Sequence, residues 1–308
     1  MISLRQHAIS LIAVFLALAV GLFLGSGYIG DRVNALTGTD RDKLGTLQDE
    51  NDALSRQANV DGGFIKDVAP RLVNGLLAKR SVLLVTAPNA SDADTEAVKG
   101  LISDSGASFS GQIALSTTLV KDENAAKLGS IIDQSIPAGT ALRVDYTDSG
   151  SRLGDLLGAL LLVRDGGRPL PDTDRTTALQ SLRAGGFLDY AEGTVKPAQL
   201  AVVLTGGGLP SDSGAQGQLV GRLAATLASR GAGGVLAGRQ GSADGAAPVA
   251  VVRADPSLGK SLSTVDDVNE QTGQITVILA LDAEAAGRSG AYGSGQGATS
   301  ITVPAPRG

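Results

Sequence analysis

One uncharged run dominates the start of the chain. From Ala8 to Gly30 no Asp, Glu, Lys or Arg interrupts AISLIAVFLALAVGLFLGSGYIG. As a helix its about 23 residues reach about 35 Å, enough to cross a bilayer core of roughly 30 Å. The pattern predicts one transmembrane helix over 8–30. Arg5 before it places residues 1–7 in the cytoplasm and the bulk of the chain outside, although Arg32 follows closely on the far side. The competing reading is a signal peptide cleaved at Ala17-Leu18-Ala19, against which the apolar run continues through Val20, Leu22, Phe23 and Leu24. Ala13, Ala17, Gly21 and Gly25 recur every four residues, on one helix face, where small side chains let two helices approach closely. The plain alternative is that Ala and Gly are common in any membrane helix.

The period then changes. Over 31–61 Leu44, Leu47, Asn51, Leu54 and Ala58 fall on alternating three- and four-residue steps among Asp, Glu, Lys, Arg and Gln. With Leu44 at heptad position a, Leu47 and Leu54 stand at d, and Asn51 and Ala58 again at a. A single polar a position favours a parallel dimer in register. The segment predicts a short coiled-coil stalk, interrupted upstream by Thr37-Gly38 and ended by Gly62-Gly63. Its alternative is a monomeric amphipathic helix packed on its own domain. Phe64, Val68, Leu72 and Leu76 suggest a further helix entering the globular part.

Residues 62–288 alternate apolar strands with amphipathic helices. Strands are predicted at Ser81 to Ala87, Ser108 to Leu115, Leu200 to Thr205, Gly234 to Ala237, Val249 to Arg253 and Gln274 to Leu281. Helices are predicted from Asp92 to Gly106, Lys127 to Gln134, Ser151 to Val163, Thr176 to Ala184 and Gln218 to Arg230. That rhythm predicts an α/β domain with a mainly parallel sheet covered on both faces. Two halves split near 166–174 are the alternative division. From 289 to 308 the chain reads as a Gly-rich loop and tail.

Composition narrows the chemistry. Net charge is −5 with 42 Gly among 308 residues, and no basic stripe suited to nucleic acid is present. There is no Cys, one His (His7) and one Met (Met1). Thiolate, imidazole and thioether are the donors copper prefers, so no metal site and no cofactor are expected. His7 lies on the cytoplasmic margin, so the part expected outside the membrane has no His, no Ser-His-Asp triad can form there, and no catalytic residues are assigned. The chain reads as a non-enzyme.

Two loops resemble phosphate sites. Ala254 to Ser261 (ADPSLGKS) follows the apolar VAVVR but lacks the first Gly and a full helix before the next acidic strand. Gly206-Gly207-Gly208 follows a strand and precedes a helix, yet Ser211 breaks Gly-x-Gly-x-x-Gly, so a simple turn is preferred. Tyr292 has no evident partner group, and Asp266-Asp267 reads as a solvated turn.

The N-terminal string MISLRQHAISLIAVFLALAVGLFLGSG, the stretch LSTVDDVNEQTGQITVILAL and the ending GAYGSGQGATSITVPAP together resemble the actinobacterial MctB/SteB family. The resemblance covers nearly the whole chain. It implies one of two roles. The first is a membrane-anchored regulator of septal peptidoglycan hydrolysis and cell separation, working with a SteA-like partner through an external coiled coil. The second is copper efflux or copper resistance, with pore formation proposed. The family supplies no catalytic motif. The stalk and the small-residue face favour the first: a single-pass protein of the cytoplasmic membrane, non-catalytic, acting as a parallel homodimer or with an envelope partner, with at most an indirect link to copper.

Overall fold

The computed structural model describes residues 28–260 and 262–305, together with Phe15, Ala17 and Leu18. Segment 8–30 thus lies largely outside the described residues, and Ala13, Gly21 and Gly25 with it. Ala17 is helical and exposed. Among the described residues no helix is long and apolar enough to cross a membrane. The chain divides into two compact units, Met1–Gly63 and Phe64–Gly308.

Helix α1 runs unbroken over 46 residues, Tyr28–Val73. The expected break at Thr37-Gly38 and the expected end at Gly62-Gly63 do not occur. Each glycine costs an exposed helix only about 1 kcal/mol relative to Ala, and the surrounding Leu, Gln, Glu, Arg and Ala favour it. The real stop lies after Val73, where Gly75 takes a positive φ of 78°. Leu44 lies within α1, while Leu47 and Leu54 are 60% and 67% exposed, and Asn51 and Ala58 are exposed too. Within the second unit the packed side of α1 is Ile65, Ala69 and Val73, continued by Leu77 beyond the helix. Phe64 and Leu72, two of the four apolar positions that suggest a further helix, lie within α1 and are exposed.

The second unit is built on one sheet of seven strands in the order β3-β2-β1-β4-β5-β6-β7. The strands are β1 Ser81–Thr86, β2 Ser108–Leu115, β3 Leu188–Asp189, β4 Leu200–Leu204, β5 Gly234–Ala237, β6 Leu262–Val265 and β7 Ala291–Tyr292. All pairings are parallel except β2 with β3. One continuous sheet rules out two separate halves divided near 166–174. That stretch merely leads into helix α5.

Burial on both faces explains the strand sequences. Val82 and Leu84 of β1 point into one core, Leu83 and Val85 into the other. In β4, Leu200, Val202 and Leu204 join the first, Ala201 and Val203 the second. A strand that must satisfy two apolar layers carries no polar alternation. The first core is closed by the end of α1, α2 (Asp92–Asp104) and α8 (Gln271–Ala285). The second is closed by α3 (Ala125–Gln134), α4 (Ser149–Leu161), α5 (Asp172–Ala184), α6 (Gln216–Ala228) and α7 (Pro248–Ala254).

Two expected strands are helices. Val249 to Arg253 belongs to α7, whose first position is Pro248, a residue pre-set for a helix start. Gln274 to Leu281 belongs to α8, buried around most of its circumference. A buried helix and a buried strand carry the same unbroken apolar text, and length is what separates them. The β5–α7–β6 and β6–α8–β7 crossovers advance in the same direction across the sheet but over opposite faces. They therefore have opposite hand, against the strong preference for one.

Helices α4 and α6 lie side by side, parallel, with glycine at their contact. Gly150, Gly154 and Gly158 meet Leu219, Leu223 and Leu227 in turn. A Cβ at Gly158 would stand 2.9 Å from Leu227 O, and one at Gly154 would overlap both Leu223 O and Thr226 Oγ1. Gly100, in α2, has nothing within 4 Å of a built Cβ. The same substitution should therefore change sign between the two. We expect Gly154→Ala to destabilise by about 3 kcal/mol through overpacking and Gly100→Ala to stabilise by about 0.5–1 kcal/mol. Guanidinium unfolding of the two variants measures both.

Candidate functional site

In open parallel sheets ligands bind beyond the carboxyl ends of the strands, where the strand order reverses. Here that point lies between β1 and β4, from which the chain winds outward in both directions. The loops after β1, β4, β5 and β6 meet there. Asn89, after β1, accepts at Oδ1 from Thr205 Oγ1 and from Gly206 N–H, both at 3.2 Å. Arg239 N–H, after β5, donates to Gly206 O at 3.2 Å. Gln240 N–H donates to Asn269 Oδ1, after β6, at 3.0 Å.

The Gly206-Gly207-Gly208 turn is packed, not open. A Cβ at Gly206 would stand 2.6 Å from Asn89 O, and one at Gly207 2.6 Å from Gln240 O. Glycine is used for the approach of neighbouring loops, and α6 begins only at Gln216. Neither loop with a phosphate-site pattern has the required frame. Ala254 to Ser261 comes after helix α7 rather than a strand, and leads into β6 through a short 3-10 turn, Leu258–Lys260.

The charged groups near this edge are buried, contrary to the solvated turn expected of Asp266-Asp267. Asp266 accepts from Arg253 Nη1 at 2.6 Å and from the amides of Ser294 and Gly295 at 2.9 and 3.0 Å. Arg253 spends its other donors on Thr264 Oγ1, Gln296 O and Tyr292 O. Both side chains are almost fully enclosed. The pair thereby fastens the glycine-rich 290–298 segment, read as a loose tail from sequence, against β6. Tyr292, in β7, is buried as well.

Asp267 Oδ1 is buried with no hydrogen-bond partner. Burial, reinforced by the neighbouring Asp266 charge, raises its pKa. Asp94, in the first turn of α2, is also buried, and burial raises its pKa against the pull of Arg239. Arg239 Nε lies 3.0 Å from Asp94 Oδ2, close enough to pair charge but out of line for a hydrogen bond.

A cavity of about 300 Å³ opens at the same end of the domain, over the first turns of α4 and α6. Its walls come from the segment after β2, from α3, and from the two helix starts. Asp148 caps α4, accepting from Ser151 N–H at 2.9 Å, and pairs with Arg222 Nη1 at 3.1 Å. Burial pulls the Asp148 carboxyl up, but the Ser151 bonds and the Arg222 charge outweigh it and hold the pKa below the usual range.

Among the described residues no three His, Cys, Asp or Glu side chains gather in a way that would hold a metal ion. His7 and Met1 lie outside the described residues. What the fold and this edge define is a doubly wound α/β domain behind a long helix, its switch point closed by its own side chains. The chain belongs to the MctB family: the family model described as "Copper transport outer membrane protein, MctB" matches residues 1–303. A protein named Copper transporter MctB from Mycobacterium tuberculosis is 44% identical over 98% of this chain and 99% of its own. The Mycobacterium bovis protein of that name is likewise 44% identical over the same shares. The Mycobacterium leprae protein of that name is 43% identical over 99% of this chain and all of its own.

Sequence reasoning did not single out Arg253, Asn89, Thr205 or Glu284. The Gly-x-x-x-Gly-x-x-x-Gly stripe of α4 was visible in the text and carried a signal that went unread. Glu284 sits at the opposite edge of the sheet, accepting from Ser263 Oγ at 2.6 Å. Burial pushes its pKa up to about 7 from an ordinary 4.5. The folded state therefore keeps a proton that the unfolded chain releases. The contribution of Glu284 to stability is full below pH 4.5, falls as pH rises towards 7, and is lower by about 3 kcal/mol above that. Glu284→Gln should flatten the pH dependence in this window and match the parent at pH 4. Urea midpoints across pH 4–8 report it.

Proposed function

We propose that this chain is a cell-envelope protein that limits cellular copper without chelating the metal itself. The observation that carries the reading is the 44% identity to proteins named Copper transporter MctB across 98% of the chain. None of these relatives' names refers to cell separation, so the copper role takes precedence over the septal one that the resemblance also implied. The absence of Cys from the chain and the confinement of its single His and Met to positions 7 and 1 argue that copper is handled indirectly. The α/β domain then acts as a recognition module, without turnover. The uncharged 8–30 run supports anchoring in a membrane, with the domain outside.

Two measurements test this. Loss of the gene in the native host should raise cell-associated copper and lower copper tolerance, with the full chain restoring both. The purified full chain should fail to withdraw copper(I) from a chelator of micromolar affinity. Unchanged copper content in the deletion strain would overturn the role, and tight binding would overturn the indirect mechanism.

The second reading concerns assembly, and the exposed Leu47 and Leu54 on an unbroken helix favour it. We propose that two chains pair in parallel through Leu44, Leu47, Asn51, Leu54 and Ala58, with Ala13, Ala17, Gly21 and Gly25 as the matching face in the membrane. Leu54→Cys should cross-link to its counterpart in intact membranes under mild oxidation. Cysteine at exposed Asp49, at the outer f position, should cross-link far less.

A further inference from the structure

The cavity over the first turns of α4 and α6 has a distinct chemistry of its own. Its floor is apolar, with Leu119 and Leu128 almost fully buried beneath it and Leu219 and Ala125 completing the wall. Its rim is charged. Lys121, on the segment after β2, is exposed and makes no ion pair among the described residues. Arg222 contacts Asp148 through one nitrogen only, leaving its other donors without a protein acceptor. The Asp148 carboxylate is already occupied by Ser151 N–H and by Arg222. The Asp122 carboxylate lies against the Gly214 turn, Oδ2 being 3.3 Å from where a Gly214 Cβ would stand. The cap position of α6 is Ala215, which has no side-chain acceptor for the first amides of that helix.

An apolar floor beside cationic donors left free, those of Lys121 and of the outer side of Arg222, is a mismatch for water and a match for an amphiphile. We propose that this cavity binds a small organic monoanion: its carboxylate lies at Lys121 and the free side of Arg222, its apolar body on Leu119, Leu128 and Leu219. A volume of about 300 Å³ equals roughly ten water molecules. It accommodates a ligand of about ten non-hydrogen atoms, at the small end of the usual range. A nucleotide is too large for it, and a metal ion would find leucine and only two carboxylates, Asp122 and Asp148, the second already bound by Ser151 and Arg222. The proposal stands apart from the copper role, since it rests on the lining of this cavity alone.

Phenylacetate is a probe of suitable size, with phenylacetamide as its neutral isostere and inorganic phosphate as an anion with no apolar body. Saturation-transfer NMR on the full chain in lipid nanodiscs, with empty nanodiscs as blank, measures all three. Phenylacetate should bind saturably at millimolar concentration or below. Lys121→Gln, a change at an exposed and unpaired side chain, should weaken it roughly fivefold with the unfolding midpoint unchanged. Phenylacetamide should not distinguish the two proteins. Ala125→Trp, which fills the mouth, should abolish phenylacetate binding. Saturable binding of phosphate with displacement of phenylacetate, equal affinity in Lys121→Gln, or full binding in Ala125→Trp would each overturn the proposal, as would no saturable binding of phenylacetate.

Discussion

Two-sided burial of the β1–β4 pair is the constraint on which the domain depends. Nine residues of these two strands stand between two apolar layers, alternating Val, Leu and Ala to either side. A sheet buried in this way cannot be left with one face open to water, so helices must close both. Their placement follows. The end of α1, α2 and α8 cover one side, and α3 to α7 the other. The carboxyl ends of the central strands are thereby brought together, and the charged residues collect there. The low aromatic content, 3%, fits the same constraint. A core of Val, Leu, Ile and Ala packs in thin layers, and the glycines of α4 and α6 bring helices close where larger side chains would leave gaps.

The centre of the sheet was legible in the sequence, whereas its short strands β3, β6 and β7 were not. SVLLVT and LAVVL are short, apolar except for Ser81 and Thr86 at the ends of the first, and bounded by turn residues, so their identity as buried parallel strands required no tertiary knowledge. The helices α3 to α6 were legible from their apolar stripes. Where reading failed, one ambiguity was responsible. In α7 and α8 the tertiary environment buries most of a helix, and the polar face that normally announces the helical period disappears. Pro248 and the 15-residue length of α8 were the remaining clues. Charge burial was the other blind spot. Asp266-Asp267 looks like any surface acidic pair until Arg253, 13 positions earlier, is seen to fold back on it. No local pattern encodes that contact. The end of the stalk helix is a third case: Gly62 and Gly63 read as breakers, but an exposed helix tolerates glycine at modest cost and α1 continues to Val73.

The candidate site was less legible than the fold. The glycine triplet drew notice as an anion turn, yet its glycines serve contacts between loops. The residues that close the switch point, Asn89 and Thr205, are ordinary turn and strand-end types with nothing in the text to mark them. The copper reading proposed above is not inscribed in any ligand set. It rests on near full-length kinship with proteins named Copper transporter MctB, and the lack of sulfur and imidazole outside the first seven residues constrains how such a role would be performed. A protein can govern a metal it does not hold by recognising another molecule or by organising a neighbour, and a doubly wound domain suits either.

The Arg253–Asp266 pair has a consequence for how the domain is completed. Both charges lie in the interior, yet several of their partners, the amides of Ser294 and Gly295 and the carbonyls of Tyr292 and Gln296, are in a segment synthesised nearly forty residues after Arg253. Until that segment arrives, a guanidinium and a carboxylate must wait incompletely solvated, or the β6 edge must remain ajar. Final closure is thus tied to the 290–298 segment, and a chain cut before it would present an unfinished edge of the kind that quality-control proteases engage.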